Sequence, residues 1–144
     1  MKVAIPVNGP EEEITIRTGR ALYFVVYKLD LDEKSYYRLR LDENLHGWKH
    51  HHNEDHDHAH GHGHGKGNHR DEEKQLQNHL YSLDVIGDCD YLLAVAVGPV
   101  MKKALEQLNI QHIKFKKKDG QKAPDFLETL LNEPERLAAA GERK

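Results

Sequence analysis

The chain has 144 residues, the size of one domain, with 21 Lys and Arg against 24 Asp and Glu and a formal charge of −3. That balance gives no strong pull toward nucleic acid or an anionic membrane, and neither is expected as a partner. One cysteine, Cys89, excludes an internal disulfide framework and a four-cysteine zinc or iron–sulfur site within one chain. The longest apolar runs, Ala21–Tyr27 and Tyr91–Val97, are seven residues each; a membrane-spanning helix needs about twenty. The N-terminus reaches Glu11-Glu12-Glu13 too soon for a signal peptide, so a bacterial or archaeal cytoplasm is the expected setting.

Residues 2–7 alternate as a short strand, with Pro6 marking its end or an unpaired side. Asn8-Gly9-Pro10 signals a turn. Residues 21–29 predict a second strand and residues 35–41 a third. The short loop between them makes the two antiparallel neighbours. In the third, Tyr37, Leu39 and Leu41 are expected on one face and Arg38 and Arg40 on the other. Residues 45–70 then change character, with ten of the twelve His, five Gly and no apolar periodicity. Such a segment cannot offset the entropy of ordering itself and is expected as a mobile insert.

Residues 71–86 predict a helix, with Leu76, Leu80 and Leu83 on one face and Gly87 just beyond its end as the C′ residue. Residues 91–97 are apolar throughout and predict a strand buried on both faces of a parallel sheet. Pro99 opens a second helix to about Leu108, with Val100, Ala104 and Leu108 inward and Asn109 as its end. Residues 110–115 form a fifth strand, and Lys114 and Lys116–Lys118 suit a sheet edge. Pro124 starts a third helix with Phe126, Leu127, Leu130 and Leu131 as its apolar face. The order βββ-α-β-α-β-α predicts an α/β, ribonuclease-H-like fold: a mixed five-stranded sheet flanked by helices. Residues 1–132 then form a single domain interrupted by the 45–70 insert, and 133–144 a polar tail.

The candidate metal ligands are His46, His50, His51, His52, His56, His58, His60, His62, His64 and His69. From His56 to His64 an imidazole falls at every second residue. Neutral imidazole is the commonest ligand for borderline divalent metals. A Gly-spaced chain could fold several around one ion, which suits loose Ni²⁺ or Zn²⁺ storage or sensing better than catalysis. The other reading is a solubilising spacer or tether on a small interaction module.

Gly19-Arg20 stands where a loop enters the second strand, and Gly98-Pro99 where the buried strand passes into a helix. Each reads as an ordinary turn. The ordinary turn is the favoured reading from spacing alone, and the other is half of an anion site: Gly for close backbone approach, Arg for planar donors, a helix start for free N–H groups. The first and fourth strands, as parallel neighbours, would bring Gly19, Arg20, Gly98 and Pro99 into one pocket, remote from Lys116–Lys118. Cys89 between Asp88 and Asp90 is read as a small packed residue, since adjacent acids disfavour a thiolate. Nucleases on this fold need carboxylates on the first and fourth strands. Residues 2–7 and 91–97 contain none, so an enzyme is not expected.

The start Met1-Lys2-Val3-Ala4-Ile5-Pro6-Val7, the stretch Gly19-Arg20-Ala21-Leu22-Tyr23-Phe24, a His/Gly-rich insert after the third strand, Asp88-Cys89-Asp90 and Val97-Gly98-Pro99 occur in an order and spacing that resemble one family over about residues 1–132. It is the dinitrogenase iron–molybdenum cofactor biosynthesis family, with its NifX-like and NifB C-terminal-like members. The resemblance implies a ribonuclease-H-like fold. It also implies a role in binding or carrying an iron–sulfur or iron–molybdenum-type cluster or its precursor, with cofactor-assembly proteins as partners. The chain departs from the family at Arg17-Thr18, where the family commonly has His-Phe. One Cys cannot ligate a whole cluster, so a bound cluster needs its own ligands, a partner chain or histidines.

Overall fold

A computed structural model of the chain describes residues 1–44 and 69–137. The expected His insert therefore lies outside the described residues, apart from its last two positions. Five strands, β1 (Lys2–Val7), β2 (Tyr23–Asp30), β3 (Ser35–Glu43), β4 (Tyr91–Ala94) and β5 (Gln111–Lys114), form one mixed sheet in the order β3-β2-β1-β4-β5. β2 is antiparallel to β1 and β3, and β4 is parallel to β1 and β5. Three helices, α1 (His69–Leu83), α2 (Pro99–Gln107) and α3 (Ala123–Asn132), complete the α/β architecture.

The alternation of each strand divides the core into two layers. Val3, Ile5, Val7, Val25, Tyr27, Leu93 and Ile113 point to one face, where Phe126, Leu127 and Leu130 of α3 cover them. Ala4, Phe24, Val26, Leu92 and Ala94 point to the other, against Leu76, Leu80 and Leu83 of α1 and Met101, Ala104 and Leu105 of α2. β4 is apolar at every position because it is central and covered on both sides; Leu92, Leu93 and Ala94 are fully buried.

Several local expectations are corrected. α1 begins at His69, so His69 and Arg70 belong to its first turn, and its end is a 3₁₀ turn over Asp84–Ile86. Gly87 keeps a right-handed φ of −62°, so it is no left-handed cap. Asn109, at φ 61°, does end α2 that way. The register of β2 on β3 slips between Val26 and Tyr27, whose partners are Arg40 and Arg38. Leu39 is the unmatched residue, and the bulge breaks the alternation expected for β3. Tyr36 and Leu41 pack on the core while Tyr37 and Leu39 are exposed. In α2 Met101, Ala104 and Leu105 are buried and Leu108 packs partly buried against the same cluster, so Ala104 and Leu108 face inward as expected while Met101 takes the place expected of Val100, because the helix turns Met101 toward α1. Beyond Asn132 the chain keeps packing: Leu137 is buried and Arg136 lies 4.9 Å over the Phe115 ring.

Candidate cofactor site at the carboxyl edge of the sheet

β1 and β4 run parallel, with Val3 opposite Tyr91 and Ala4 opposite Leu92, so both end on one edge. The chain leaves Val7, turns through Asn8–Glu13 and comes back against β1. Ile14 bridges Val7, and the Thr15 N–H donates to Pro6 O at 3.1 Å. The next residues take up the place beside β4 that β1 has vacated. Ala96 N–H donates to Ile16 O at 3.0 Å, and the Thr18 N–H and hydroxyl both donate to Ala96 O, at 3.1 and 2.9 Å. Thr18 is 1% exposed, so this pair of hydrogen bonds is a fixed strut.

Thr18 opens a single 3₁₀ turn, Thr18–Arg20, closed by Arg20 N–H on Arg17 O and Ala21 N–H on Thr18 O. Asn44, fully buried, holds the far side of the turn: its side-chain amide donates to Ala21 O and its backbone N–H to Leu22 O, each at 2.8 Å. Gly19-Arg20 is thereby clamped between Asn44 and Ala96, two residues before Gly98. Arg17 and Arg20 are both exposed there.

Gly98 is the N-cap of α2, with Pro99 in the first turn, and the first helical bond runs from Lys102 N–H to Gly98 O. The amides of Val100 and Met101 precede intrahelical pairing and carry the positive end of the helix dipole. A Cβ built on Gly98 meets nothing within 4 Å, so the space over this residue is open. The turn strand-to-helix is thus not what requires glycine.

Two residues outside the sequence expectation, Thr18 and Asn44, set this geometry. Both carry short polar side chains just outside a strand, Thr18 before β2 and Asn44 after β3, a signal for side chain-to-backbone bonds but not for their long-range partners. The lysines expected to be remote are not. Phe115 N–H donates to Ala94 O at 2.9 Å, so the segment Lys116–Lys118 leaves β5 on this same edge. Cys89 sits at the opposite edge, where Asp90 N–H donates to Lys2 O. It is buried, and desolvation, reinforced by the Asp88 carboxylate, pushes its thiol up to about 12. Among the described residues no three His, Cys, Asp or Glu converge as a metal site. Nine of the ten candidate insert histidines lie outside the described residues, and His69 is the first residue of α1. The donor set at the carboxyl edge is cationic and amidic. It fits an anion that brings its own ligands and offers no thiolate to metal.

No curated protein matches the chain. Three solved structures are similar in fold. A Thermotoga protein of the DUF35 family, described as a candidate NifB protein, has 20% identity and a TM-score of 0.53, over 92% of this chain and 88% of that one. The protein PH0822 has 14% identity and a TM-score of 0.52, over 99% and 92%. The apo orange protein of Desulfovibrio gigas has 17% identity and a TM-score of 0.50, over 96% and 88%. The dinitrogenase iron–molybdenum cofactor family profile matches residues 1–132, nearly the whole chain, and the protein belongs to that family.

Proposed function

We propose that the protein is a non-enzymatic accessory protein of cofactor assembly. Its cargo is an iron–sulfur or iron–molybdenum-type cluster or precursor, held at Gly19, Arg20, Gly98 and Pro99. Family membership supports the cofactor-related role. The observation that carries the site is the Thr18–Ala96 strut, which sets the Gly19-Arg20 turn beside the open start of α2. A sulfide cluster is anionic. Backbone N–H groups and a guanidinium stabilise it through charge-assisted hydrogen bonds without entering the metal coordination sphere. In this reading residues 1–132 are one ribonuclease-H-like domain acting in the cytoplasm, with cofactor-assembly proteins giving and taking the cargo. The ten histidines favour a second, compatible reading of the 45–70 segment as a Ni²⁺ or Zn²⁺ store.

The test is Arg20→Ala under anaerobic conditions. Uptake of tetrathiomolybdate and of a cluster assembled from ferrous iron and sulfide is followed by visible absorption. Loss of about tenfold in affinity with an unchanged unfolding midpoint is expected, the size of one charge-assisted contact. Full uptake by the variant refutes the site.

A further inference from the structure

Positive charge is gathered on one side of the carboxyl edge. Residues 98–122 hold seven Lys against Glu106 and Asp119, a net +5, which leaves −8 for the rest of a chain whose total is −3. Six of these lysines fall together in the fold. Lys102 and Lys103 lie in the first turns of α2, Lys114 ends β5, and Lys116, Lys117 and Lys118 follow it. All six are exposed. His112 of β5 lies opposite Leu92 of β4 with its Nε2 3.0 Å from the O of Ala94, which ends β4 five residues before α2 begins, so the α2 and β5 lysines flank one side of this edge; burial first, and then the Lys102 and Lys114 charges, lower the half-buried imidazole's pKa.

Among the described residues none of the six ammonium groups lies within ion-pair distance of a carboxylate, Lys118 acting on Asp119 only at longer range, whereas Lys2, Arg38, Arg40 and Arg136 are all salt-bridged. Lys28, Lys34 and Lys74 also form no ion pair among the described residues, but they are interspersed in sequence with Asp30, Asp32, Glu33 and Glu73. Protection of an edge strand accounts for Lys114. It does not account for Lys102 and Lys103, which are helical, or for Lys116–Lys118, which lie beyond the strand. Unneutralised like charges repel one another, and a complementary surface relieves that cost.

We infer that this lysine surface is a docking site for an acidic protein surface, placed so that its partner meets the mouth formed by Gly19-Arg20 and Gly98-Pro99. The inference rests on the proposed cargo site for its purpose and on the charge distribution for its existence. A nucleic acid fits less well. Among the described residues this surface carries no exposed Phe, Tyr or Trp on which a base could stack: Phe115 and Phe126 are fully buried. It uses lysine where phosphate recognition favours the arginine fork. Lysine point charges on mobile stems suit steering and a brief, salt-sensitive encounter, which a handover of cargo requires.

The test uses the full-length ¹⁵N-labelled chain titrated with poly-L-glutamate, and separately with a DNA duplex at the same concentration of charge. Expected are glutamate-induced shifts confined to residues 100–118. Affinity should fall about tenfold in the triple variant Lys116→Glu/Lys117→Glu/Lys118→Glu, and comparably when salt is raised from about 50 to about 300 mM. A control reversing Lys28, Lys34 and Lys74 should bind like the native chain. Shifts elsewhere, equal loss in the control, or tighter binding of the duplex overturns the inference. Tetrathiomolybdate uptake separates the two readings. The triple variant should load normally. If it loses uptake in step with glutamate binding, the lysines belong to the cargo site and the docking surface is refuted. If native chain and variant both fail to load, the cargo reading fails and the docking result stands.

Discussion

Replacing Gly98 by Ala separates what the fold needs at this position from what the proposed cargo would need. The native backbone, φ −68° and ψ 163°, is one alanine adopts, and the added methyl group meets no atom within 4 Å. Two opposing effects on stability remain. Alanine restricts the unfolded chain, worth about 0.4–1 kcal/mol in favour of folding. It is also a poorer N-cap than glycine by about 0.5–1 kcal/mol. They nearly cancel, so the variant should match the native chain within about 0.5 kcal/mol, or about 2 °C in Tm for a chain of this size. A cluster resting against the Gly98 backbone would instead meet the methyl group directly. Tetrathiomolybdate titration, read beside a thermal melt, is expected to show uptake weakened about tenfold or more, equivalent to about 1.4 kcal/mol, with a flat Tm. Unchanged uptake would mean that the cargo does not approach Gly98. Weakened uptake with a Tm drop above about 4 °C would mean that the open space over the N-cap has been misjudged.

At the opposite edge Arg40 ties β3 to the end of α1, donating to Asp88 at 2.7 and 3.2 Å, to Val85 O at 2.9 Å and to Asp42. These side chains are a quarter to nearly half exposed, so screening holds the loss in Arg40→Ala to about 1–2 kcal/mol. The Arg40 and Lys2 cations hold the Asp88 carboxyl well below the usual range. That stabilisation is complete above the unfolded carboxylate pKa of about 4 and is lost as pH falls through the folded value. Denaturant melts of native and Arg40→Ala chains should therefore differ by a constant amount from pH 5 to 8 and converge in acid; a gap that widens in acid refutes the latch. Cys89 should resist a thiol reagent at pH 8 until the chain unfolds, and Cys89→Ser should load cargo normally, since the thiol is buried and pushed up to about 12; uptake lost in the serine variant would place a ligand where none is described. The native chain is expected to bind more than one Ni²⁺ or Zn²⁺, less tightly below about pH 6. Replacing residues 45–68 by a twelve-residue linker should abolish that binding and leave a cooperative melt, because halving the loop changes closure entropy by only about 0.6 kcal/mol; calorimetry showing one pH-independent site, or a molten linker variant, contradicts both readings of the insert.

The strand and helix order was legible because each element carries its period in its own residues: continuous apolar runs for β4, i, i+4, i+7 leucines for α1, Phe126, Leu127 and Leu130 for α3. What was not legible depends on partners distant in the chain. The bulge at Leu39 arises from how β3 registers on β2, and no local pattern encodes a register slip. Val100 and Met101 are adjacent apolar residues, and only the position of α1 decides which is buried. The Thr18 hydroxyl finds an acceptor 78 residues away, and the Asn44 amide one 23 residues away. Leu137, in a segment read as polar tail, is one apolar residue among charges, too little to signal that it closes the core against Phe115 and Phe126.

The two ends of the sheet divide the work between them. At the amino edge cations are paired: Lys2 and Arg40 share Asp88, and Cys89 is sealed between charged neighbours. At the carboxyl edge the exposed Lys102, Lys114 and Lys116–Lys118 form no ion pair among the described residues, backbone amides open a helix, and the space over Gly98 is clear. β1 and β4 run between these ends, so substitutions that loosen the Asp88 cluster act on stability through the whole sheet while leaving the mouth's chemistry in place. Arg40→Ala should therefore lower the unfolding midpoint yet bind tetrathiomolybdate as the native chain does below that midpoint, the converse of Gly98→Ala. Titration of both variants at one temperature below both midpoints measures the separation. Loss of uptake in Arg40→Ala under those conditions would show that the edges are coupled through β1 and β4, and that the cargo site cannot be assigned to the carboxyl edge alone.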